Sequence, residues 1–358
     1  MTGKDFKWPQ VWRNNLGADF RIPAGTVFTF DAVYTKDVNA MMVRNYKLGT
    51  PTGTLNTTTG DKRKVYTAAD QGANNTYVFT NAKVGYQLNL SLQAQQNFKN
   101  GFFAMAAYNY LLAKDASSIS AEISSDAFDR NPILNNANEA KLSTSLYGNT
   151  HRFFVAGYKK FIYGNKKKLA TTVSLFSSWT SGNRFAYVYG GDINNDGTAS
   201  NDLLYVPTNA EIDNMNFAPV TDVLGNTKTP SEQKAAFKGF VDQDKYLSDR
   251  RGMYTEKYAG KNPWVSQLDL RILQDFYFGE SGKTIQLSID FVNLGNMLNS
   301  NWGVRKYATT SGYFQPLSVN YNNNAPSYTF DPSTRTTFIT SPDLISRWQL
   351  QLGLRYIF

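Results

Sequence analysis

The last twelve residues of the chain, Arg347 to Phe358, constrain its fold more than any other stretch. Read at every second position, Trp348, Leu350, Leu352, Leu354, Tyr356 and Phe358 share one face. Arg347, Gln349, Gln351, Gly353 and Arg355 share the other, with Ile357 the one apolar residue among them. A period of two is that of a β-strand whose faces meet unlike surroundings. Aromatic side chains stand at both ends of the apolar face and leucines between them. A strand in the wall of an outer-membrane barrel needs this layout, with lipid outside, a polar lumen inside and aromatic residues at both interfaces. A strand of a soluble sandwich can alternate as well, so the weight rests on how often the pattern recurs.

It recurs along most of the chain. Leu16, Ala18, Phe20 and Ile22 alternate with Asn15, Gly17, Asp19 and Arg21, and Pro23-Ala24-Gly25 supplies a tight turn. Phe28, Phe30, Ala32 and Tyr34 follow on one face. Val84, Tyr86, Leu88, Leu90 and Leu92 alternate with Gly85, Gln87, Asn89, Ser91 and Gln93, and the chain returns from Phe102 to Leu112 after Lys99-Asn100-Gly101. His151 to Ile162 is the next strand, turned by Tyr163-Gly164-Asn165 and the adjoining lysines. Leu169, Thr171, Val173, Leu175 and Trp179 carry the chain back towards Tyr187 and Tyr189. Val265 to Phe278 follows, with Leu268, Leu270, Ile272 and Phe276 against Asp269, Arg271 and Asp275. Gly279-Glu280-Ser281-Gly282 turns it into Ile285, Leu287, Ile289 and Phe291.

About nine strands result, and between them short turns alternate with long polar loops near 46–75, 115–144, 190–262 and 299–344. Barrels of the outer membrane have short periplasmic turns and long extracellular loops. Loops of this length without structure argue against a compact soluble domain. The fold class expected is therefore all-β: an antiparallel transmembrane β-barrel section with long extracellular loops. Residues 1–12 would belong to an outer loop, and Phe358 would end at the periplasm. Nine is odd, whereas bacterial barrels have even counts, and an unclosed sheet leaves two bare edges in lipid. Residues 1–358 are thus expected to be the C-terminal part of a larger barrel, with no plug domain and no export signal among them.

Composition agrees. The chain has 22 Tyr and 24 Phe, so that aromatics make up 15% of it, yet overall hydrophobic content is only 41%. That combination suits aromatic rims around a polar lumen. No apolar run reaches the length of a helical membrane span. The net charge of +9 comes from scattered Lys and Arg, and the one tight cluster, Lys166-Lys167-Lys168, falls in a turn without a recognition helix, so no nucleic-acid partner is expected. Cys is absent, which fits an envelope protein but decides little.

Several motifs resemble one family. Pro263-Trp264-Val265 through Leu268-Asp269-Leu270 to Gln274-Asp275-Phe276 resembles the closing strands of TonB-dependent outer-membrane transporters, in particular the Oar-like group of Bacteroidetes-type bacteria. So do Phe291-Val292-Asn293-Leu294-Gly295-Asn296 and Leu298-Asn299-Ser300-Asn301-Trp302-Gly303, and so does Gly191 to Gly197 followed by Asn201-Asp202-Leu203-Leu204-Tyr205-Val206-Pro207. The resemblance implies a barrel of about 22 strands whose lumen holds an N-terminal plug, of which this chain would hold the last nine strands. It implies TonB as a partner through a plug upstream, and recognition of a C-terminal strand ending at Phe358 by the barrel-assembly machinery.

Asp192-Ile193-Asn194-Asn195-Asp196-Gly197 matches the opening of a calcium loop, with oxygen ligands at alternate positions and a glycine at the sharp turn. Leu203 stands where a bidentate Glu would be, and Asp202 could replace it. Asp192, Asn194, Asp196 and Asp202 are the candidate ligands, and a polar turn in an outer loop is the other reading. Thr229-Pro230-Ser231-Glu232 reads as a capping box opening a short helix near 230–242. Catalysis has little support. His151 is the only histidine and sits on a strand, as a lumen or interface residue, so neither a His triad nor a multi-His zinc site is available. Inward Asp269, Asp275 and Asp290 are expected to pair with Arg271 or Arg355.

The function expected is uptake of a glycan, peptide or chelate in the outer membrane, without enzymatic activity. The rival readings are a passive porin or adhesin barrel, a secreted β-sandwich carbohydrate binder and, last, an outer-membrane hydrolase.

Overall fold

A computed structural model describes residues 1–67, 75–221, 225–278, 283–322 and 325–358. Nine long strands form one antiparallel meander in chain order. They are β1 (Gln10–Arg21), β2 (Val27–Asn45), β3 (Gly85–Asn97), β4 (Phe102–Asp115), β5 (His151–Tyr163), β6 (Leu169–Thr180), β7 (Val265–Phe278), β8 (Lys283–Val292) and β9 (Gln349–Ile357). The fold is all-β, as the alternation implies. No helix among the described residues is long and apolar enough to cross a membrane, which leaves strands unaddressed.

Register binds the nine patterns into one surface. Leu16 faces Ala32, Ala32 faces Leu90, and Leu90 faces Tyr110. Farther on, Leu175 faces Gly157 and Leu270, Leu270 faces Phe291, and Phe291 faces Leu350. Since side chains alternate along a strand, a one-residue slip at any pair would turn that strand inside out. No slip occurs in the regions of the apolar pattern; the one register shift among these ladders is at Gln10/Val11, at the start of β1.

The sequence places residues 1–12 in a loop, but β1 already begins at Gln10. The difference is physical: Trp12 and Arg13 continue the alternation and pair with Lys36 and Thr35. At one end of the sheet Gly25 and Gly101 take positive φ (92° and 78°) in tight turns, where a side chain would be strained. The turn expected at Gly279-Glu280-Ser281-Gly282 lies outside the described residues, as do parts of the loops at 46–75 and 190–262.

At the other end the long loops are not structureless. Arg184–Gly190 lies between Gly260–Lys261 and Tyr313–Asn322, and Tyr313–Asn322 pairs with Ala325–Thr329, giving a second sheet. Tyr187 and Tyr189 thus belong to this separate strand, because β6 stops at Thr180 and Ser181-Gly182-Asn183 breaks the run. Among the described residues five short α-helices accompany it: α1 (Ser124–Asp129), α2 (Asn209–Asn214), α3 (Pro230–Gln243), α4 (Lys245–Ser248) and α5 (Leu294–Leu298). The core of the molecule lies here, in a cap. Leu55 and Val65 from one loop, Tyr187, Ile193, Phe237 and Phe240 from another, and Leu317 and Phe330 from a third bury into one cluster.

Helix α3 shows why the cap folds. Thr229 Oγ1 accepts the Glu232 N–H and Glu232 Oε2 accepts the Thr229 N–H at 2.7 Å, the expected capping box, with Pro230 in the first turn. Gln233, Phe237, Phe240 and Val241 then share the buried stripe. Gln233 links three segments, since its Nε2 donates to Ala218 O and Lys228 O and its Oε1 accepts the Phe330 N–H. Phe237→Ala is expected to destabilise the cap by about 3–5 kcal/mol, read as a fall in its denaturation midpoint followed by aromatic fluorescence.

Candidate functional site

Two parts of the molecule bear on function, the two-faced sheet and the cap above it. Among the described residues nothing packs over the face carrying Leu16, Phe30, Leu90, Leu92, Leu175, Leu270, Leu287 and Leu354: Leu92 is 49% exposed, Leu16 68% and Leu354 74%. Aromatic rings gather along both borders of this face. Towards the cap stand Trp12 with Tyr34, Tyr34 with Tyr86, and Tyr108 with Phe153 and then Trp264, centroids 4.6–6.5 Å apart. Towards the turns stand Phe20 on Phe28, Phe98 with Phe102, and Tyr356 on Phe358. Phe153 and Tyr163 bracket the face along β5; at about 3.3 Å per residue they lie ~33 Å apart along the strand. A barrel tilt of about 40° reduces that to ~25 Å, the height of an outer-membrane apolar band. His151 lies in the cap-side row, its Nδ1 2.8 Å from Tyr108 Oη and its ring stacked on Trp264. It stands among aromatic rings on the strand, as expected of a residue without catalytic partners.

The opposite face is mixed, with ring pairs Phe103–Tyr158 and Phe154–Phe176 in the middle strands and polar groups on either side of them. Arg271 pairs with Asp290 at 3.0 Å, as expected, while Asp275 takes Lys160 and Gln286 rather than an arginine. Asp269 accepts from Gln267 Nε2 and from the Asn293 N–H. A hollow of about 340 Å³ opens on this face among Asp31, Gln93, Asn109 and Arg152.

In the cap, Asp192, Asn194, Asp196 and Asp202 do lie together. Asp192 accepts the N–H groups of Asn194, Asp196 and Gly197 at 2.8–3.2 Å. Asn194 Oδ1 accepts the Asp196 N–H, and Asp196 accepts the Thr198 N–H. Asn195 and Gly197 take positive φ (58° and 85°), which folds the loop tightly. Burial, and then the Asp196 carboxylate, push Asp192 up to about 7. Asp202 stands apart in its partners: Arg63 Nη1 donates to it at 3.0 Å and the Ile193 N–H at 3.2 Å. No three His, Asp or Glu side chains among the described residues form a metal-holding group by themselves.

Two features here are invisible in the sequence. Arg63 is fully buried between Asp61 (2.9 Å) and Asp202, and its guanidinium lies 5.0 Å from the centre of the Tyr189 ring. Although burial alone would lower it, the two carboxylates hold Arg63 above its ordinary value. Nothing in Gly60-Asp61-Lys62-Arg63 marks this pair as buried.

Lys257 is the second feature. It lines a cavity of about 430 Å³ with Lys114, Glu139, Lys141 and Glu256. Its Nζ donates to Ala116 O (2.8 Å) and Asn131 Oδ1 (2.5 Å). Burial, opposed by the Asp115 charge, pushes Lys257 down to about 8. Because the folded value lies below the unfolded one, the unfolded chain binds the extra proton above pH 8, and stability there rises with pH. A gain of up to about 3 kcal/mol is expected in denaturation midpoints taken from pH 8 towards 10, and Lys257→Met should flatten the rise. Higher still the trend should reverse, since burial holds the Tyr258 and Tyr187 phenols neutral.

No family model matches the chain, and no curated protein matches it in sequence. Among solved structures it is similar to the outer membrane transporter YddB from Escherichia coli, at 11% identity and a TM-score of 0.41, over 82% of this chain and 30% of that one. It therefore spans less than a third of that transporter's length.

Proposed function

We propose that the nine strands form part of the wall of an outer-membrane barrel and that the cap is its extracellular vestibule. The observation that carries this reading is the register-locked face: from β1 to β9 each strand pair brings mainly apolar positions together on one side, with Lys36, Lys159 and Gln274 among the polar exceptions, and aromatic rows border it at both ends. Lipid is the surrounding that suits such a face, because a soluble sandwich would cover it with a second sheet. In this orientation the cap faces outside, the short turns and Phe358 face the periplasm, and Phe358 presents the terminal aromatic to the assembly machinery.

Among the described residues, the two outer strands, β1 and β9, have no neighbour on one side. Bare edges are not tolerated in hydrocarbon, so strands beyond these nine complete the wall. We assign the completed barrel to plugged, TonB-dependent uptake of a nutrient such as a glycan, peptide or chelate, supported by the resemblance of the closing strands and by a cap whose polar cavity could meet a ligand before the lumen does. The test is conductance in planar bilayers of the protein taken from outer membranes with the strands that complete its barrel. A plugged transporter gives no steady current. A permanently open channel would favour a passive porin and refute the transporter assignment.

A further inference from the structure

The loop 192–202 holds more oxygen ligands than its own hydrogen bonds use. A carboxylate has about four acceptor sites. Asp192 uses three of them, on the N–H groups of Asn194, Asp196 and Gly197. Asp196 uses three as well, on the Thr198 N–H and hydroxyl and on Asn201 Nδ2. The independent sign of a ligand is Asn201. Its side chain is fully buried, its Nδ2 stands 3.1 Å from Asp196 Oδ2, and its Oδ1 has no hydrogen-bond partner. A buried amide oxygen without a donor costs about 1–3 kcal/mol, and natural folds rarely leave one unless an ion or water fills the gap.

We propose that Asp192, Asn194, Asp196 and Asn201 bind a calcium ion. The donors are all oxygens, two of them carboxylates, in a loop that can adjust its ligand distances; calcium accepts six to eight such ligands, whereas magnesium demands a near-octahedral set. Carboxylates outnumber cations here, with buried Asp61, Asp196 and Asp202 and half-buried Asp192 set against Arg63, and a divalent cation offsets the excess. Asp202 does not ligate. Held by Arg63 and by the Ile193 N–H, it anchors the start of the loop to the segment carrying Asp61. The Tyr66 N–H, from that same segment, donates to Asn194 O at 2.8 Å, so calcium rigidifies the joint between two cap loops. The site lies wholly in the cap and does not depend on the membrane reading.

Calorimetric titration of the purified full chain with Ca²⁺ and with Mg²⁺, in detergent and after treatment with a chelator, tests the site. Calcium is expected to bind with a Kd of about 10⁻⁴–10⁻³ M, in the range of extracellular calcium modules, with Mg²⁺ at least tenfold weaker. Asp196→Asn and Asn201→Ala should each weaken calcium binding tenfold or more, and Asp213→Asn, on the exposed side of helix α2, should not. Protease cleavage of the cap should slow severalfold on adding Ca²⁺ to the wild-type protein. The proposal is overturned if the wild-type protein shows no calcium heat at millimolar concentration, or if Asn201→Ala titrates as wild type. Should Asp196→Asn not fold, the wild-type titration and Asn201→Ala decide. None of these results moves the bilayer conductance, so failure here is separable from failure of the transporter reading.

Discussion

Leu92→Arg is expected to destabilise the protein in a bilayer by about 2–4 kcal/mol, the cost of arginine near the midplane of a lipid-facing strand. Gln93→Arg, one residue on, is expected to change stability by no more than about 0.5 kcal/mol. The two positions are neighbours on β3 but face opposite ways. Leu92 lies between Phe30 and Tyr108 on the apolar face, and neither of these partners carries a charge to receive a guanidinium. Gln93 lies between Thr29 and Ala107 on the face that carries Asp31, where an added cation has a carboxylate at hand. The measurement is the urea midpoint of each variant folded into phosphatidylcholine vesicles, together with the fraction recovered in the membrane. Were this face in water, Leu92→Arg would be neutral or would raise solubility, so equal behaviour of the two variants would remove the membrane reading.

The second large effect is expected in the cap. Arg63→Met removes the one cation between Asp61 and Asp202, both fully buried. Breaking a buried ion pair from one side typically costs about 3–5 kcal/mol, because the remaining charge has neither water nor partner. Asp202 would then hold only the Ile193 N–H, and the segment carrying Asp61 would lose its attachment to Leu203 O, which Arg63 Nη2 reaches at 2.7 Å. Proteolysis should begin in the cap while the strands stay intact, seen as fragments whose ends lie within 46–67 or 190–262. The double variant with Asp202→Asn should recover part of the loss. A full recovery would mean that the arginine serves only to neutralise Asp202; no loss in the single variant would mean that the pair is not buried in solution.

The wall was legible in the sequence because its information is local. Leu350, Leu352 and Leu354 declare a face on their own strand, and the same holds for Ile285, Leu287 and Ile289, so the register that joins them adds agreement rather than novelty. The helix at Pro230–Gln243 was legible for the same reason, since Thr229 and Glu232 cap it across three residues. The cap was not legible. Tyr187 reads as more of β6 until Gly182 is placed, and the parallel pairing of Ala186 with Tyr313 joins residues far apart in the chain, which no periodicity reports. Arg63 and Lys257 show the same limit: a basic residue in a polar loop reads as solvated, and only tertiary closure buries it. The candidate loop lies between these cases. Its ligand spacing from Asp192 to Gly197 is visible in sequence, but Asn201 stands out only by its unpartnered oxygen, and Asp202 proves to serve Arg63.

The most direct test of the wall uses the absence of native cysteine. Single cysteines at each position from Gln87 to Gln93, carrying a spin label in the membrane-embedded protein, report whether each site meets lipid-soluble oxygen or a water-soluble nickel chelate. Leu88, Leu90 and Leu92 are expected to favour oxygen, and Gln87, Asn89, Ser91 and Gln93 the chelate or neither, in a strict alternation. Chelate access at Leu88, Leu90 and Leu92 equal to that at their neighbours would contradict a lipid-facing wall.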